Sequence, residues 1–89
     1  MVELFAVPNP DPRSLAVLVE GGPDTVELKL YSAAMVCVAR ESLELKQGWN
    51  AVPGALGLSR LSSGFYYVEA KALSGSKAGT KLCKVVVLR

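Results

Sequence analysis

The sequence predicts an all-β domain, a sandwich of about seven short strands without a catalytic centre of its own. Three observations carry this. Turn-forming clusters recur at short intervals: Pro8-Asn9-Pro10-Asp11-Pro12, Gly21-Gly22-Pro23-Asp24, Gln47-Gly48, Pro53-Gly54, Ser62-Ser63-Gly64 and Ser74-Gly75-Ser76. The runs between them are rich in Val, Leu, Tyr and Phe, and several alternate apolar with polar residues. That spacing belongs to β-sandwiches and barrels rather than to helical folds. The chain also lacks histidine altogether, which removes the commonest catalytic base and metal ligand.

The strands follow in order from the alternation. Residues 3–7 form a short first strand that ends at the prolines. Residues 14–20 form the second, with Leu15, Val17 and Val19 on one face. Residues 25–31 are the clearest, with Val26, Leu28 and Leu30 pointing one way and Glu27, Lys29 and Tyr31 the other. After a tight connection at Ser32-Ala33-Ala34, a strand is expected over 36–40. Another is expected over 42–46, with Leu43 and Leu45 on one face. Residues 49–52 follow Gly48. Residues 65–73 alternate again, with Tyr66, Val68, Ala70 and Ala72 inward and Phe65, Tyr67, Glu69 and Lys71 outward. Residues 81–88 close the fold and make a hairpin with the preceding strand across a Ser/Gly/Lys loop. The only helical candidate is a single turn over 56–61, because Gly57 and the flanking Pro53-Gly54 oppose anything longer.

Composition bounds the function. The 89 residues suffice for one domain, and 51% of them are apolar, enough for one core without metals or several disulfides. Charged residues make up 20% and the net charge is +2, too weak a bias to point to nucleic acid or an anionic membrane. No run approaches the ~18 apolar residues of a membrane-spanning helix. Strand-like sequence begins almost at Met1 and continues to Arg89, so the chain is read as a domain from a longer protein, with Met1 added for expression. The N-terminus does not open on a basic region followed by an apolar run, which leaves the location of the parent protein open.

Cys37 and Cys83 lie far apart and outside any Cys-x-x-Cys motif. They read as small buried or half-buried hydrophobes, with a disulfide between them as the open alternative. Metal binding has no ligand spacing to support it, and no cofactor is expected.

The order of features carries a family resemblance. Pro8-Asn9-Pro10 follows the first strand, and a later strand ends in Leu30-Tyr31-Ser32. Gly48-Trp49-Asn50 comes next, then Leu61-Ser62-Ser63-Gly64-Phe65-Tyr66-Tyr67-Val68, and Lys84-Val85-Val86-Val87-Leu88-Arg89 closes the chain. This resembles the bacterial immunoglobulin-like domains of the flagellar hook-cap (FlgD) type, and equally the related C-terminal sorting domains of type IX secretion substrates. The likeness runs from about Leu4 to Arg89. It implies an immunoglobulin-like, Greek-key β-sandwich, the C-terminal module of an exported or surface-located bacterial protein. It also implies no enzymatic activity, and a role in sorting, anchoring or assembly through contacts with secretion machinery or neighbouring domains. Two departures stand out. Met35 occupies a turn position where the family carries Gly, so a different turn type is expected. Val52-Pro53-Gly54 replaces the Trp-Asp-Gly element of the hook-cap group, which weighs against a hook-cap role.

The carboxylates Glu3, Asp11, Asp24, Glu27, Glu41, Glu44 and Glu69 are scattered, mostly in turns or on the outward phase of strands, and read as solvated surface charge. Gly21-Gly22-Pro23 is a turn without the helix and lysine of a phosphate loop. Tyr66, two residues after Gly64 and facing inward, fits a tyrosine corner whose hydroxyl bonds back to nearby backbone. Pro8 and Pro10 stiffen the exit of the first strand and guard that edge. The best candidate partner surface is Tyr31, Phe65 and Tyr67, which share an outward face if their strands are neighbours; ordinary cross-strand packing is the plain alternative. Trp49 suggests core or rim packing first and a carbohydrate platform second, which keeps an accessory carbohydrate-binding domain as a further reading.

Overall fold

A computed structural model of the chain describes residues 2–7, 14–20, 24–53, 55–73 and 80–88. Pro8, Pro10 and Pro12, the Gly21-Gly22-Pro23 turn, Gly54, the 74–79 loop and Arg89 lie outside the described residues.

Seven strands are described: β1 (Val2–Val7), β2 (Ser14–Val19), β3 (Asp24–Ser32), β4 (Cys37–Leu45), β5 (Gly48–Pro53), β6 (Gly64–Ala72) and β7 (Thr80–Val87). They form a three-stranded sheet in the order β1-β2-β5 and a four-stranded sheet in the order β4-β3-β6-β7. Every pairing is antiparallel. The chain changes sheet between β2 and β3, between β4 and β5, and between β5 and β6.

The alternation in the sequence explains why the sheets close on each other. Leu15 and Val17 of β2, Val26, Leu28 and Leu30 of β3, Val68 and Ala70 of β6, and Val85 and Val87 of β7 are all fully buried in one cluster. A single side-chain set drawn from both sheets therefore fills the space between them. Leu58, also fully buried, plugs this core from the connection between β5 and β6. That connection is a 3₁₀ turn (Ala55–Arg60) broken at Leu56 and Gly57, where φ is 56° and 67°. Two successive left-handed residues reverse the chain there and drop Leu56 and Leu58 onto the core. No buried polar side chain occurs among the described residues.

Two expectations are corrected. The sequence suggests separate strands over 36–40 and 42–46, yet β4 runs unbroken through Glu41, opposite Leu28. The apparent break has a different cause. Leu30 pairs with Ala39 and Tyr31 with Cys37, so Val38 is an extra residue, a β-bulge. One inserted residue shifts the phase of the alternation, which in the sequence looks like the end of one strand and the start of another. The second correction concerns Met35. The β3–β4 hairpin does use a left-handed residue at this position, with φ of 62°. The Met35 N–H donates to Ser32 O at 2.8 Å and the Ser32 N–H to Val36 O at 2.9 Å. Ala33 and Ala34 keep negative φ, the pattern of a three-residue hairpin loop in which a tight turn is followed by a left-handed residue. Methionine accepts the strain that glycine would avoid.

Candidate interaction face

The outer face of the four-stranded sheet is built by the residues that alternate with the core. In β3 these are Glu27, Lys29 and Tyr31; in β6 they are Phe65, Tyr67, Glu69 and Lys71. The register brings the sequence-predicted residues together, because β3 and β6 are neighbours and Tyr31 lies directly opposite Tyr67. Side chains opposed in this way have Cβ atoms roughly 4.5–5.5 Å apart. Tyr67 in turn faces Lys84 on β7. The Lys84 ammonium lies 4.5 Å from the centroid of the Phe65 ring, a cation–π contact. Phe65 is 53% exposed, whereas Tyr31 and Tyr67 are half-buried.

The bulge enlarges this cluster. Cys37 and Val38 both stand beside Tyr31, and both are exposed, Val38 by 53%. Counting back from Ala39, which is core-side opposite Leu30, alternation turns Val38 outward and would turn Cys37 inward; the extra residue instead sets Cys37 opposite the outward Tyr31. In the hairpin loop itself, Met35 and Val36 are also more than half exposed. One end of the sheet thus presents aromatic and aliphatic carbon across all four strands, from Val38 to Lys84. The adjoining rows are charged. Lys29 contacts Glu27 at 3.4 Å, and Arg40 and Glu69 lie opposite Lys29 on either side. The hydrogen bond to Glu27, reinforced by its charge, holds the Lys29 ammonium above its ordinary pKa. The sequence singled out Tyr31, Phe65 and Tyr67 but missed Cys37, Val38 and Lys84. Periodicity alone does not reveal a bulge, and Lys84 joins the cluster only through pairing with β6.

The sheet edges have a different character. On β4, Glu41 occupies a core-side position opposite Leu28 and is exposed at the rim. On β7, Lys81 occupies a core-side position opposite Ala70 and reaches Glu3 of β1 at 3.4 Å, tying the edges of the two sheets. Charges pointing inward at an edge, and bulges, oppose the addition of another strand. On β5, Asn50 is turned to local use. Its amide donates to Lys46 O at 2.9 Å, Gly48 O at 3.0 Å and Val17 O at 3.4 Å, and its Oδ1 accepts the Lys46 N–H at 3.3 Å. The Asn of the Gly48-Trp49-Asn50 element thereby fastens the β4–β5 crossing to β2.

Tyr66 is half-buried against the core, and its hydroxyl donates to Ser62 O, four residues upstream, at 2.8 Å. Gly64 begins β6 with φ of 154°. Cys83 is half-buried against the core, but Cys37 is exposed because the bulge carries it outward, and both thiols are free. They lie on the two edge strands of one sheet, β4 and β7. Three strand spacings separate these edges, about 14 Å, far beyond the reach of a disulfide. Trp49 does not enter the core. It is 55% exposed on the outer side of the three-stranded sheet, opposite Leu18. Among the described residues no group of His, Cys, Asp or Glu has the arrangement of a metal site, and no helix is long and apolar enough to cross a membrane.

No family model, curated protein or solved structure matches this chain.

Proposed function

We propose that the chain is an immunoglobulin-like, Greek-key β-sandwich module without catalytic activity. It serves in the sorting, anchoring or assembly of a bacterial protein exported to the cell surface, and works through protein–protein contact. The strand order supports the fold assignment. Strands β2 and β5 pair in one sheet and β3 and β6 in the other, so chain neighbours are split between sheets in the Greek-key manner. The bond from Tyr66 to the backbone at the entry to β6 supports it further.

The single observation that carries the functional part is the aromatic end of the four-stranded sheet. Tyr31 and Tyr67 are directly opposed, Phe65 and Val38 are more than half exposed, and a bulge sets Cys37 and Val38 together beside Tyr31. Clustered aromatic and aliphatic surface is the usual material of binding hot spots. The guarded edges favour recognition through this face rather than by strand addition. A reporter bearing a signal peptide, fused ahead of this chain in a bacterium with type IX secretion, tests the reading by protease accessibility at the cell surface. The reporter reaches the surface with the wild-type chain. Delivery falls about tenfold with Phe65→Asp or Val38→Asp, equivalent to losing one contact of ~1.4 kcal/mol. Delivery of the wild-type fusion no better than that of the bare reporter overturns the reading.

A further inference from the structure

Two cations stand at opposite corners of the aromatic end of the four-stranded sheet. Lys84 lies on β7 opposite Tyr67, with its ammonium 4.5 Å from the Phe65 ring. Arg40 lies on β4, beyond Val38 and directly opposite Lys29. Like charges opposed across an antiparallel pair repel. Lys29 is offset by Glu27 at 3.4 Å, whereas Arg40 is exposed and forms no ion pair with any described residue. An incoming carboxylate at Arg40 would relieve that repulsion. Between the two cations lie the opposed Tyr31 and Tyr67, and Val38 and Leu82 beside them are more than half exposed.

The spacing of these groups restricts what can bind. β4 and β7 are the outer strands of the sheet, three strand spacings apart, about 14 Å. Arg40 also sits one outward position behind the row that joins Tyr31, Tyr67 and Lys84, which makes the diagonal about 16 Å between backbones. Carboxylates at positions i and i+4 of an extended chain are about 13 Å apart, and the long side chains of Arg40 and Lys84 cover the difference. In a helix the same positions lie only about 6 Å apart. In the extended form i, i+2 and i+4 face one way, so the side chain at i+2 falls over the tyrosine pair. Glu69, opposite Lys29, and Glu27 interrupt the positive field behind this row. They disfavour a uniform polyanion, such as nucleic acid or a sulfated glycan, relative to a segment in which acidic and apolar residues alternate.

Resting on the reading that this face makes the protein contact, we propose that the partner presents an extended segment with carboxylates at i and i+4 around an apolar residue. Arg40 binds one carboxylate, Lys84 binds the other, and the apolar side chain packs on Tyr31 and Tyr67. A blocked Asp-Thr-Leu-Thr-Asp peptide tests this by titration of the amide chemical shifts in nuclear magnetic resonance. The expected dissociation constant is on the order of 1 mM, with shifts concentrated at Tyr31, Val38, Arg40, Tyr67 and Lys84, and binding weakens as salt is raised. Arg40→Gln and Lys84→Gln each weaken it about fivefold, the upper range for an exposed ion pair, while Lys71→Gln leaves it unchanged. Melting temperatures of the Arg40→Gln and Lys71→Gln variants stay at the wild-type value. Equal binding of the Asn-Thr-Leu-Thr-Asn peptide, or indifference to Arg40→Gln, overturns the proposal but leaves the aromatic end as a contact surface. Absence of shifts at these residues up to about 10 mM peptide overturns it as well. Tighter binding of a sulfated oligosaccharide at the same residues also overturns it, and gives the cations to glycan. Failure of the underlying reading shows separately, as surface delivery that does not depend on Phe65.

Discussion

Replacing Met35 by glycine should stabilise the protein, an uncommon direction for a change that removes a whole side chain. Met35 holds φ at 62° in the β3–β4 hairpin. In that region the Cβ of an L residue crowds its own backbone, at a cost of about 1–2 kcal/mol. The side chain recovers little in return, since 55% of it remains exposed. Glycine removes the crowding but gives the unfolded chain more freedom, which takes back about 0.4–1 kcal/mol. The difference is a net gain of about 0.5–1 kcal/mol. For a domain of this size, 1 kcal/mol moves the melting temperature by roughly 4–8 °C, so a rise of about 3–5 °C is expected, with a matching shift of the urea midpoint at unchanged slope. The hairpin's backbone bonds, Met35 to Ser32 and Ser32 to Val36, need no side chain at position 35 and persist. Met35→Ala is the control: it keeps the Cβ and hence the strain, and should show no gain. A midpoint for Met35→Gly at or below the wild-type value refutes the left-handed geometry at this turn.

Other substitutions probe the crossings between the sheets. Tyr66→Phe removes the hydroxyl that donates to Ser62 O and should cost about 1 kcal/mol in urea unfolding; an unchanged midpoint would show that the bond contributes nothing. Asn50→Ala removes the amide that joins Lys46, Gly48 and Val17. Water can replace some of these partners at the exposed β4–β5 connection, so the loss should be about 2 kcal/mol, near two net hydrogen bonds. Asn50→Asp, which retains an acceptor for Lys46 N–H but has no donors, should recover less than half of it.

Much of the fold is legible in the sequence because the core obeys strict alternation. Val26, Leu28 and Leu30 read as one face and are one face, and the same holds for Leu15, Val17 and Val19 and for Val68, Ala70 and Ala72. The hairpin between β3 and β4 is legible from the end of the alternation at Tyr31 rather than from turn residues, since Ala33, Ala34 and Met35 include no Gly, Pro, Asn or Asp. The alternation does not explain the backbone at Met35, because the demand for a left-handed residue comes from the hairpin's geometry rather than from methionine. The continuity of β4 is obscured by two effects. Its bulge at Val38 reverses the phase of the alternation, and Glu41 occupies a core-side position that an interior strand would fill with an apolar residue. Trp49 misleads for a related reason. A lone tryptophan beside a glycine suggests packing, whereas the parity of β5 puts Val52 against the core and turns the indole outward. The aromatic face was half legible: Phe65 and Tyr67 follow from alternation within β6, but joining them to Tyr31 and Lys84 requires knowing which strands pair.

The most direct test of the proposed role compares the two ends of the same face in the surface-delivery assay. Phe65 lies at the aromatic end of β6, and Lys71 lies at its charged end, opposite Glu27. Phe65→Asp and Lys71→Glu each alter one exposed side chain and should leave the melting temperature close to wild type. The account predicts that Phe65→Asp lowers surface delivery about tenfold while Lys71→Glu leaves it near the wild-type level. Equal loss from both variants, or loss from Lys71→Glu alone, would contradict recognition through the aromatic end.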